Sequence, residues 1–160
     1  MAKFIIEGSV PMIGASSRSA GGWYWFAMVL LLAGETAGWR EGGLLAVALG
    51  AIQSVHFRLR DGAWTAFPVQ VRLGYLMLLA AGLWPPLAFV HWILLGGTLA
   101  LVLAGYCPLA RMLALMPWNR PVPLSLPLVG RAIFTPPSPG TILEALYTAR
   151  GAAAGPVQGG

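Results

Sequence analysis

Four apolar runs constrain this chain more than any motif in it. They read "GWYWFAMVLLLAGETAGW" at 22–39, "GGLLAVALGAIQSVHF" at 42–57, a third from Pro68 to Trp84, and "VHWILLGGTLALVLAGY" at 90–106. A helix needs about 20 apolar residues, with a range of roughly 17–25, to cross the hydrocarbon core of a bilayer. The runs are short for that task, and the flanking Trp, Tyr and Arg side chains are of the kind that snorkel to the interface. A soluble core of 160 residues has no means of hiding so much apolar surface from water. Hydrophobic residues make up 58% of the chain and charged residues 9%, against about 25% charged in an ordinary soluble domain. The mean hydropathy is +0.73. The expected fold is therefore all-α and integral to a membrane, with four transmembrane helices arranged as two hairpins.

The punctuation between the runs supports that division. The polar-aromatic stretch "RLRDGAWTAFPVQVR" separates the hairpins, Pro85-Pro86 ends the third run, and Cys107-Pro108 follows the fourth. This gives an N-terminal segment over 1–21, a membrane domain over 22–107, a short interfacial helix over 108–118, and a Pro-rich tail over 119–160. With both termini in the cytoplasm, that side receives Lys3, Arg18, Arg58, Arg60, Arg72, Arg111, Arg120, Arg131 and Arg150, and the opposite side receives Arg40 alone. The positive-inside rule then favours N-in, C-in, in a bacterial-type inner membrane. The net charge of +5 reads as a topology signal, so no nucleic-acid partner is expected. Glu7 and Pro11 interrupt the only apolar patch of the N-terminal segment, which is not expected to be a cleavable signal. Gly34 and Gly38, then Gly42, Ala46 and Gly50, then Gly96, Gly97 and Ala100 mark places where helices can approach closely.

Cys107 is the only cysteine, which excludes an intrachain disulfide, and no Cys/His spacing suits zinc. It has two readings. One is apolar packing where a span turns into an interfacial foot. The other is a thiol near Arg111, activated by the cation for sulfur or redox transfer. Beyond it Pro108 suits a first helical turn, and Leu109, Met112, Leu113 and Met116 recur on one face, with Ala110, Arg111 and Ala114 toward the other side. This foot should lie on the membrane surface, anchored by Trp118, and end at Pro117.

The stretches "RLGYLMLLAAGLW" and "HWILLGGTLALVLAGYCPL" resemble the YgaP-like two-helix inner-membrane domain that often accompanies rhodanese. The resemblance covers about residues 70–113 and rests on Gly105, Cys107, Pro108 and Leu109. Ala110 stands where that family tends to carry an aromatic, and "MPWNR" replaces its usual ending. What the resemblance implies is a membrane hairpin, with Cys107 as the position of any sulfur chemistry.

His56 and His91 are candidates for a single axial bond to a haem or chlorophyll-type macrocycle. The topology puts them near opposite faces, so they cannot share one macrocycle; the alternative is an interfacial imidazole with one nitrogen in water. Glu35 is the only acid inside a span, and it is expected to snorkel outward and pair with Arg40. Gln53 and Ser54 are side chains that could hydrogen-bond another helix. No catalytic constellation and no substrate pathway is visible, so neither an enzyme nor a transporter is expected, and no cofactor beyond bound lipid.

The tail stretch "NRPVPLSLPLVGRAIFTPPSPG" suggests an extended conformation. Its apolar side chains need either the membrane surface or a partner to lie against. Thr141 and Glu144 form a capping box for a short helix near 141–150, with Ile142, Leu143 and Leu146 on one face. Trp118, Leu126, Phe134, Leu143 and Leu146 are the docking candidates. The expected function is a non-catalytic subunit that packs against other integral membrane proteins, a respiratory or photosynthetic assembly being one suitable host. A thiol carrier acting through Cys107, or single-histidine cofactor binding, are the alternatives.

Overall fold

The computed structural model describes residues 20–119 and 123–136. Among these the chain is all-helical, without a strand. The elements are α1 (Ala20–Thr36), α2 (Glu41–Asp61), α3 (Phe67–Gly82), a 3-10 turn (Pro85–Leu87), α4 (Phe89–Ala104), α5 (Pro108–Ala114) and α6 (Leu126–Phe134). The segments Glu41–Asp61 and Pro85–Ala104 are long and apolar enough to cross a membrane. The expected helix of 141–150, with Leu143 and Leu146, lies outside the described residues, as does the segment 1–19.

Local chemistry sets the helix ends. α2 runs past the expected end at Phe57 and carries Arg58 and Arg60 in its last turn, where cations complement the carbonyl end of the helix. It stops at Gly62, whose φ of 75° is left-handed and whose N–H donates to Arg58 O at 3.0 Å. α4 ends the same way at Gly105, with φ 67° and an N–H bond to Leu101 O at 2.9 Å. α3 begins with Pro68 in its first turn and ends before Pro85-Pro86.

α1 packs against α2 and α4, and α3 against α2 and α4, closing an up-down-up-down bundle. Its core holds Trp25, Met28, Leu32, Ala46, Tyr75, Leu79 and Leu94. The Trp25 and Tyr75 rings meet edge-on, with centroids 5.0 Å apart. The stripe Gly42–Ala46–Gly50 faces inward, as the spacing implied. A Cβ on Gly42 would lie 2.8 Å from Leu31 O of α1, and one on Gly50 would lie 3.2 Å from Leu79 of α3. The other small-residue sites behave differently: Gly34 is covered by Trp39 from its own turn, and nothing lies within 4 Å of a Cβ on Gly96.

The outer surface of the bundle is apolar and its interior carries polar groups. Leu30, Leu44, Ile52, Met77, Trp92, Ile93 and Leu103 point outward, while Gln53, Ser54, His91 and Thr98 are buried. Met77, at 72% exposed, is among the most open of the outward side chains.

Beyond α4 the structure departs from expectation twice. The foot is one helical stretch, α5, that ends at Ala114 rather than at Pro117, and Arg111 and Ala114 face inward while Met112 faces out. The expected apolar face is divided: Leu109 and Leu113 lie against Gly74 of α3 while Met112 faces out, and Arg111 is buried because its guanidinium finds carbonyl acceptors on α6. The tail is the second departure. Leu126–Phe134 is a helix rather than an extended segment, with the Ser125 hydroxyl accepting from Leu128 N at 3.4 Å and Pro127 in the first turn.

Candidate functional site

At the Arg40 end of the bundle, the last turn of α1, the first turns of α2, the end of α3 and the start of α4 converge on Glu35 and His91. His91 is 2% exposed. Its Nδ1 lies 2.7 Å from Glu35 Oε1, and its Nε2 lies 2.9 Å from the carbonyl oxygen of Leu79. Glycines make the approach feasible. A Cβ on Gly82 would collide with the imidazole ring, and one on Gly43 would lie 2.5 Å from the Glu35 carboxylate. Glu35 Oε2 is buried and has no hydrogen-bond partner among the described residues.

This overturns two expectations. Glu35 bonds to His91 across the bundle rather than to Arg40, and His91 is a core residue with both ring nitrogens engaged rather than an interfacial imidazole. A carbonyl and a carboxyl inside the bundle offer hydrogen bonds that the apolar outer surface does not, so both side chains turn inward. Both His91 nitrogens have protein partners, Glu35 and the Leu79 carbonyl. His56 is exposed at the other end of the bundle, its Nδ1 3.2 Å from the Tyr24 hydroxyl. The expected separation of the two histidines therefore holds in space.

Further into the bundle, the Tyr75 hydroxyl and Thr98 Oγ1 are 2.6 Å apart, and Thr98 Oγ1 also donates to Leu94 O at 2.6 Å. Ser54 bonds within its own helix, to Gly50 O at 2.8 Å, rather than to a neighbour. Gln53 is buried, and its Nε2 has no partner among the described residues. The Arg72 guanidinium stacks over the Phe57 ring at 3.2 Å, with Nη1 donating to Pro68 O at 2.8 Å.

The opposite end carries the foot. Arg111 Nη1 donates to Ala132 O at 2.6 Å and to Ile133 O at 3.2 Å, and the Tyr106 hydroxyl donates to Ile133 O at 2.9 Å. The Arg111 guanidinium lies 4.1 Å above the Tyr106 ring. These groups satisfy the last carbonyls of α6, which a helix end otherwise leaves unpaired. Trp118 Nε1 donates to Gln70 Oε1 at 3.0 Å and Asn119 Nδ2 to the same oxygen at 2.9 Å, tying the chain after α5 back to α3. Trp118 keeps its ring exposed, and on α6 Leu126 is 88% and Phe134 82% exposed.

Cys107 caps α5: its sulfur accepts from Ala110 N at 3.4 Å. Burial pushes its thiol up, against the pull of the Ala110 and Leu109 amides and of Arg111 and Arg72. The pull of Arg111 is thus outweighed by burial at this thiol.

The buried pair was missed in the sequence because Glu35 and His91 stand 56 positions apart, and the one usable signal was that both fall near span ends on the same predicted face. Comparison with protein-family models, with characterised proteins and with solved structures finds no match to this chain.

Proposed function

We propose that this chain is a non-catalytic integral membrane subunit with four spans, both termini cytoplasmic, that packs against and stabilises larger membrane proteins. The observation that carries the reading is the inverted surface of the bundle. Leu30, Leu44, Ile52, Met77 and Ile93 face outward, while Gln53, Thr98 and His91 face inward. Water would penalise that arrangement, and a bilayer accommodates it. The described cations divide as the positive-inside rule expects, with Arg58, Arg60, Arg72, Arg111 and Arg131 at the foot end and Arg40 at the other. α1 and α3, at 17 and 16 residues, span only a thinned or locally adapted bilayer, an adaptation helped by interfacial Trp23, Trp64 and Trp84.

The subunit reading draws on the foot. α6 is fastened to its own bundle by Arg111 and Tyr106, which leaves Leu126 and Phe134 projecting outward, free to meet a neighbour at the cytoplasmic surface. The test is affinity purification in mild detergent with mass spectrometry of everything that elutes. Larger membrane proteins in fixed stoichiometry, lost from a Leu126→Ser/Phe134→Ser variant, support it. A lone protein from both preparations refutes the subunit role. Labelling of single cysteines placed at Gly38 and Gly62 from either side of the membrane tests the topology: label at both positions from the same side rules out the hairpin arrangement.

A further inference from the structure

We infer that Glu35 and His91 form a binding site for a single proton, and that the folded bundle is its loaded state. The argument is a count of donors and acceptors. The Leu79 carbonyl only accepts, so His91 Nε2, 2.9 Å away, carries a hydrogen. A neutral imidazole then has a bare lone pair on Nδ1, and an ionised Glu35 has only lone pairs on Oε1. Those atoms are 2.7 Å apart, a hydrogen-bond distance that requires one proton between them.

Two arrangements hold that same proton: a carboxyl O–H donating to neutral Nδ1, or an imidazolium N–H donating to a carboxylate. Glu35 Oε2, buried without a partner, favours the first. A neutral carbonyl oxygen left unpaired costs far less than a charged one. The proton comes from water on the Arg40 side and returns there, with no bond to carbon changed and no electron transferred. The other charged groups of that end, Arg40 and Glu41, are exposed. On α3 the nearest charged or titratable side chains are Tyr75, which pairs with Thr98, and Arg72, one turn further away. α4 carries no other titratable side chain.

Unloading the site leaves lone pair facing lone pair and a net negative charge inside the bundle. Gly82 and Gly43 leave the space in which the two side chains meet, and relief of that repulsion favours a loosening of the packing between the α1 and α4 ends. Proton occupancy is thereby coupled to the closure of this end, independently of which proteins surround the bundle.

The experiment uses the full chain in lipid nanodiscs at neutral pH. Infrared spectra and nitrogen-15 spectra of the histidine side chains are recorded for the wild type, for Glu35→Gln and for His56→Asn, which assigns the second ring. The expected result is either a protonated-carboxyl band that Glu35→Gln abolishes, or His91 with hydrogens on both nitrogens. A folded wild type with neither signal overturns the inference, and this arm needs no variant to fold. Glu35→Gln also provides a permanently loaded mimic, since its amide N–H can donate to Nδ1. Wild-type melting temperature should fall by about 5 °C more than that of Glu35→Gln as the pH is raised until the shared proton leaves. His56, Tyr24, Tyr75, Tyr106, Asp61, Glu41 and Cys107 are common to both proteins and cancel in the difference. Identical pH profiles overturn the coupling.

Discussion

The two ends of the bundle bury polar charge carriers by opposite means. At the Arg40 end an acid and an imidazole bond to each other across the core, and one backbone carbonyl takes the second ring nitrogen. At the foot end Arg111 is 6% exposed and has no acid beside it among the described residues; it bonds to the carbonyl end of α6 and lies over Tyr106. The first arrangement depends on a proton and on two side chains from different helices. The second uses a permanently charged group and backbone acceptors, which no pH change removes. The contrast suggests a division of labour, one end closing conditionally and the other fastened.

The largest effect that would sharpen this contrast is expected at His91. His91→Leu leaves Glu35 without its partner, and removing one member of a buried pair typically costs about 3–5 kcal/mol. His91→Leu/Glu35→Leu should recover most of that loss in thermal melting, since no ionisable group is then stranded at this corner and only the Leu79 carbonyl loses a donor. A double variant no more stable than the single one would mean that the pair holds the fold by geometry the leucines cannot reproduce.

Arg111→Leu comes next. It removes two charge-assisted bonds to Ala132 and Ile133, at a cost of about 3 kcal/mol. The loss should be local. Hydrogen exchange should rise over 126–134 and stay protected across α1–α4. Exchange rising through the whole bundle would break the comparison, because the foot would then hold the bundle together rather than rest on it.

Much of this was legible beforehand and some was not, for reasons that lie in particular residues. Apolar length and prolines are local signals, so α1 to α4 fall where the runs predict, within a few residues at each end. The inward stripe Gly42–Ala46–Gly50 was readable from spacing, whereas Gly96 and Gly34 show the same pattern and pack against no other helix of the bundle. Composition misled in the tail: six prolines suggested an extended chain, but Ser125 and Pro127 are a helix start when read in place. α5 turned out with Arg111 inward because the acceptors for its guanidinium lie on α6, some 21 residues later. The Glu35–His91 contact was hidden for the same reason, since its distance along the chain exceeds any periodicity.

A smaller effect separates two glycines of the same hairpin. Gly82→Ala drives a methyl group into the His91 ring and should cost about 2 kcal/mol, as overpacking in a tight core does. Gly96→Ala meets nothing within 4 Å and should change stability by no more than about 0.5 kcal/mol in either direction. In thermal melts the first should therefore resemble a mild His91 variant and the second the wild type. Equal responses would remove the glycine cradle from the account of the Arg40 end.

The smallest expected effect concerns Cys107, and it asks whether the foot end has any chemistry of its own. Burial raises the thiol, so little thiolate exists at neutral pH, and alkylation there should be slower than for a free cysteine. Raising the pH should accelerate the reaction beyond the range where an ordinary thiol has already levelled off. Cys107→Ser should leave stability unchanged within about 0.5 kcal/mol, because serine is at least as good a cap for the Ala110 amide. Fast alkylation at neutral pH would contradict the raised thiol and support sulfur transfer as a role for this end. Slow alkylation with an unaffected fold would leave Cys107 as the cap on which α5 begins, and the foot end as attachment without titration.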